Sequence, residues 1–116
     1  MSDLTLTDLV VEARRLSELL DRGLHALRQA AQEWAEAEHE YRQAKAQGWL
    51  AAKGTVNERE SMVEMRAGEL RRRRDLAEGM RLSALEAVRS RRAQLSALQS
   101  ILAAHRAEAE YERTSS

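Results

Sequence analysis

The 116-residue sequence contains no proline, no cysteine and no phenylalanine, and its aromatic residues are two Trp and two Tyr. Without cysteine there are no disulfides, thiolate metal sites or Cys nucleophiles, and this usage fits a reducing compartment. Without proline there is no obligatory helix break, and so few aromatics leave little to pack a β-sheet. No apolar run approaches the roughly 18 residues of a membrane span, and Met1 to Val11 lacks the basic start of a signal peptide. A cytoplasmic location without a membrane partner is expected. Neither sign of charge dominates, with 19 Lys+Arg against 19 Asp+Glu, which excludes attachment to nucleic acid by net charge alone.

What is present is charge and alanine: 33% of residues are charged and 20 are Ala, the composition of long helices or coiled coil. Thr5-Leu6-Thr7-Asp8 supplies oxygens that can accept from the free amides of a helix start. Every seventh residue from there reads Ala13, Leu20, Leu27, Trp34, Tyr41 and Gly48, with Leu16, Gly23, Ala30, Ala37, Ala44 and Ala51 three later. Lys53-Gly54-Thr55-Val56-Asn57-Glu58 then carries a stop and a start: Gly54 suits a left-handed helix end, and Thr55 with Glu58 forms a capping box. A second seam holds Val63, Ala67, Leu70, Ala77, Ala84, Val88, Leu95, Leu98, Leu102 and Ala109, with Arg74, Arg81, Arg91 and His105 on the same rows.

These signals predict an all-α chain forming one helical domain. It is a long antiparallel, coiled-coil-like helical hairpin with helices over about 8–53 and 56–112, a turn at 54–55, and a frayed tail from Arg113 to Ser116. Two helices share one line of contact and cannot shield two apolar stripes, so self-association into a homo-oligomer is expected. Leu85 and Ile101, off the main seam, add apolar surface for it.

Positive charge gathers in two places. Residues 41–53 hold three basic residues and no acid, whereas 71–92 hold eight basic and three acidic residues. In the first, Arg42, Lys45 and Lys53 alternate with Tyr41 and Trp49, the pairing of cations and rings by which single strands are bound. Tyr41 and Trp34 fit the core seam; Trp49 is placed either in the core or under a base. In the second, Arg71 to Arg74 surround the helix and continue through Arg81, Arg89 and Arg92. Guanidinium forks suit a polyanion, and 17 of the 19 basic residues are Arg. Glu69, Asp75 and Glu78 lie within helical reach, so the same stripe also reads as an ordinary solvated face.

Nothing here predicts an enzyme, a metal or a cofactor. Glu36-x-x-His39 has di-iron spacing without the further glutamates that chemistry requires, and His105-x-x-Glu108 runs in the reverse order. No Gly-rich phosphate loop or nucleophile with a base occurs at usable spacing.

The stretch Ala84-Leu85-Glu86-Ala87-Val88-Arg89-Ser90-Arg91 resembles the C-terminal part of the UvsY-type recombination mediators of phages. Ala44-Lys45-Ala46-Gln47-Gly48-Trp49-Leu50, followed by Gly54, is similar to that family's central segment. Together the motifs span residues from about 41 to 110. The resemblance implies a small helical protein assembled into a ring-like homo-oligomer that binds single-stranded DNA. It would help to load a RecA-like recombinase onto DNA covered by single-strand-binding protein, in the host cytoplasm. Carried over by position, Arg42, Lys45 and Lys53 would meet DNA, while Val88, Leu95, Leu98 and Leu102 would hold subunits together. The central segment here is shorter and poorer in lysine than the family's, and the run with Arg71, Arg72 and Arg74, continued by Arg81, could take over the phosphates. The alternative is a structural or assembly coiled coil, such as a phage scaffold or tail-assembly chaperone, whose charges only set helix register. A WXG-type secreted hairpin suits the length but needs Trp-x-Gly at the turn, where this chain has Gly48-Trp49.

Overall fold

A computed structural model describes residues 5–115. The chain is all-α, with helix α1 over Leu6–Ala51 and helix α2 over Val56–Ser115. A threonine caps the start of each helix. The Asp8 amide donates to Thr5 Oγ1 and the Thr5 amide donates to the Asp8 carboxylate, a reciprocal cap that starts α1 two residues before the expected position. That bond also holds the Asp8 carboxyl below the usual carboxylate range. At α2 the Glu58 amide donates to Thr55 Oγ1. Between the helices Gly54 has φ of 115°, the left-handed conformation that ends α1 without a Cβ clash.

Two compact units make up the chain, one from residues 26–85 and the other from the remainder of both helices. In the first unit, Gly48 faces Val63, Tyr41 faces Arg74 and Trp34 faces Arg81, so the two helix segments run antiparallel and form a helical hairpin. A Cβ on Gly48 would stand 3.3 Å from Val63 Cγ2, so the absent side chain is what lets the helices approach there. Ala30, Tyr41, Ala52, Val63 and Ala67 are buried in this unit. In the other unit Leu9 and Leu16 of α1 pack with Leu98 and Leu102 of α2, flanked by Ala13 and Leu95. Gly23 lies against Val88, the most deeply buried large side chain of the chain's described part.

Most of the predicted seam is thus the contact line, with three departures. Ala51 is exposed and Ala52 is buried instead, because α1 ends at Ala51 and the Ala52 amide still donates to the Gly48 carbonyl, drawing the chain inward. His105 and Ala109 are exposed, since Leu9, the first buried residue of α1, already meets α2 at Leu98 and Leu102. Residues 113–115 are helical rather than frayed: Arg113 pairs with Glu110, and the Thr114 and Ser115 hydroxyls donate to main-chain carbonyls one turn back. Ser116, the last residue of that tail, lies outside the described residues. Among the described residues no helix is long and apolar enough to cross a membrane.

Candidate nucleic-acid interface

The basic, aromatic segment 41–53 lies on the last turns of α1, in the unit formed by residues 26–85. The segment itself is free of acid, but its surroundings are not. Arg42 donates through Nε to Glu38 at 2.7 Å, one turn earlier. Lys45 lies over the Tyr41 ring at 6.0 Å from its centroid. Trp49 is half-buried, with the Arg59 guanidinium 5.6 Å from its centroid. Lys45 and Trp49 line an open hollow of about 240 Å³ whose other walls are Glu60, Val63 and Glu64 of α2. Two carboxylates therefore stand where phosphates would have to approach. Lys53 is exposed beside Gly54.

The arginine run of α2 divides into two chemical groups. Arg71, Arg72 and Arg73 point to solvent, Arg71 donating to Glu64 at 3.0 Å and Arg72 taking Glu69 through both Nε and Nη2. Hydrogen bonds from Arg72 hold the Glu69 carboxyl below the usual carboxylate range. Arg73 reaches the same Glu69 at 4.0 Å, so three guanidiniums share two carboxylates. Arg74 and Arg81 instead turn inward. The Arg74 guanidinium lies 4.5 Å from the Tyr41 centroid, between Asp75 at 2.9 Å and Glu38 at 3.5 Å. The Arg81 guanidinium lies 4.9 Å from the Trp34 centroid, with Glu78 at 4.0 Å. The negative face of an aromatic ring attracts a cation, which lets each arginine occupy a seam position. Arg59 Nε and Arg81 Nε are buried without an acceptor, each with its guanidinium over a ring face; Trp34 Nε1 is likewise buried without an acceptor.

The rings thus accommodate two seam arginines inside the hairpin. Arg74 and Arg81 sit within one hairpin, one heptad apart, opposite Tyr41 and Trp34, also one heptad apart. Two contributors were missed from sequence. Arg59 lies four residues before Val63, and so on the seam, a signal that its spacing carried. Glu38 forms an ion pair with one arginine of each helix, and only the packing of α2 reveals the second.

The six residues assigned to subunit contacts also divide. Val88, Leu98 and Leu102 are buried inside the chain, and Leu95 packs against the same cluster. Leu85 is half-buried, and Ile101 alone of the six is exposed. Among the described residues no group of three or more Asp, Glu or His side chains could hold a metal ion. Compared with protein-family models, with curated proteins and with solved structures, the chain matches none.

Proposed function

We propose that this chain is a non-enzymatic single-stranded-DNA-binding protein that acts as a recombination mediator, helping a RecA-like recombinase onto strands covered by single-strand-binding protein. The observation that carries this reading is the outward set Arg71, Arg72 and Arg73, each guanidinium held only by solvent-exposed carboxylates. Exposed ion pairs are weak in water, and a phosphate can take the same fork bidentately. The resemblance of the 84–91 and 44–50 stretches to UvsY-type mediators points the same way. In this reading the chain works as a homo-oligomer, so a modest patch on each copy is multiplied along one strand. Phosphate contact falls mainly to Arg71 and Arg72, with Lys53 and Lys45 at its margin, while Arg74 and Arg81 hold the hairpin together.

Titrating a fluorescent single strand, and its duplex, with the purified chain at two salt concentrations tests the reading. Salt-weakened binding that prefers the single strand is expected. Arg71→Gln with Arg72→Gln should lower the slope of log K against log salt by about 1.4, from two lost phosphate contacts at about 0.7 each. No binding at low salt by a folded protein would overturn it. The structural coiled coil would then be the better account, favoured by Arg74 and Arg81 being spent on Tyr41 and Trp34 within the hairpin.

A further inference from the structure

One apolar stripe belongs to neither seam. On α2, within the hairpin of residues 26–85, Met62, Met65, Leu76 and Met80 are 50%, 87%, 56% and 64% exposed. At 100° per residue these four side chains fall within one 60° sector, well away from the buried Val63 and Ala67. Glu69 falls in the same sector and Arg73 about 20° beyond its edge, both lying along the helix between the two apolar pairs. The stripe runs about 27 Å along the helix, at 1.5 Å per residue.

Its order is that of a palindrome. Met62 and Met80 lie nine residues on either side of position 71, and Glu69 and Arg73 lie two residues on either side of it. Met65 and Leu76 lie six and five residues away. A surface that meets a second copy of itself across a two-fold axis must carry its own complement in reverse order. Here apolar residues would face apolar ones, and Glu69 would face Arg73 of the other copy twice over. Arg73 reaches its own Glu69 only at 4.0 Å, so it is available for a second carboxylate.

The surface of the chain leaves room for such a contact. It exposes 8969 Å², roughly 2,500 Å² more than the about 6,400 Å² expected of a compact monomer of 13.2 kDa. A standard interface needs about 800 Å² from each partner. Methionine suits the contact, being unbranched and able to fit whatever side chain it meets.

We propose that the Met62, Met65, Leu76, Met80 stripe is where two copies of this chain pair, antiparallel, about a two-fold axis passing between Glu69 and Arg73. The proposal deepens the self-association in the functional reading but does not depend on DNA. It moves the contact between copies from the 85–102 segment, whose apolar residues are largely used inside the chain, to the exposed face of α2.

The test is the solution mass of the full chain by light scattering without nucleic acid, with circular dichroism to verify helicity. Met65→Glu with Met80→Glu should keep the helicity and reduce the mass by half or more. Glu69→Arg alone and Arg73→Glu alone should each do the same, because each places like charges across the axis. Mixing those two variants should restore the lost mass, since one then carries only Arg and the other only Glu at both positions. Mixing leaves the pairs within each chain unchanged, so restoration reports contact between copies rather than folding. A wild-type mass of one chain, or a mixture no heavier than its components, would overturn the proposal, whatever the DNA titration gives.

Discussion

The two compact units solve the same packing problem with different chemistry. In the unit made of the N-terminal part of α1 and the C-terminal part of α2, Leu9, Leu16, Leu98 and Leu102 form an aliphatic cluster, with Val88 against Gly23. In the hairpin of residues 26–85 the same helical rows carry Trp34, Tyr41, Arg74 and Arg81, and the buried residues beside them are mostly small. The aliphatic contact is held by removal of apolar surface from water. The hairpin contact pairs specific cations with specific rings, so a shift of one heptad in one helix would set Arg81 against Tyr41 and leave Trp34 without its cation. We draw from this difference that the cation–ring pairs specify the register of α1 on α2 within residues 26–85.

The largest expected effect breaks the aliphatic side. Leu16→Ala should cost about 3 kcal/mol, the usual loss for a buried leucine with a residual cavity. Thermal melting measures the loss, and hydrogen exchange should place it first in residues 6–25 and 86–115, with protection over 26–85 lost later. Equal loss throughout would mean that the two units fold as one.

An intermediate effect sharpens the account of the hairpin. Trp34→Ala removes both a large ring and the cation's partner and should cost about 2 kcal/mol, less than a fully buried Trp because the ring is half-buried. Arg81→Met keeps the length and apolar stem and should change stability by less than about 1 kcal/mol, since replacing a buried charge by a well-packed apolar side chain is often neutral. If both variants lose stability equally in melting experiments, the charge over the ring, and not the stem packed against it, holds the contact.

The smallest effect lies at the α1 cap. The Asp8 carboxyl is held below its ordinary range by the Thr5 amide, so its contribution to stability is complete above that range. It fades as pH falls through the ordinary value toward the lowered one. Asp8→Asn should therefore be less stable than the wild type near neutral pH and approach it in acid, a convergence that melting curves across pH would show. No difference at any pH would assign the cap to the bond from the Asp8 amide to Thr5 Oγ1 alone, which Asn keeps.

How much of this was legible in the sequence depends on the distance over which each signal acts. Gly54 and the caps at Thr5 and Thr55 were readable because they are local: a left-handed turn and an unpaired amide are satisfied within four residues. Leu16, Val63, Val88 and Leu98 were readable because a heptad repeat places them on one face whatever the partner. The acid-free stretch 41–53 was correct as a statement about one helix and incomplete as a statement about a surface, because Glu60 and Glu64 arrive from the other helix.

The sequence by itself determined two helices, the turn between them at Gly54, and which rows of residues could be buried. Backbone hydrogen bonding and helical period depend on neighbours within a few residues. Only the tertiary structure decided which residue faces which. It set Arg74 and Arg81 over rings, spent Val88, Leu98 and Leu102 inside the chain, and left Arg71 to Arg73 and the methionine stripe outward. The physical reason is that a seam position specifies burial but not its partner, and a guanidinium is equally at home against a carboxylate, a ring or a phosphate.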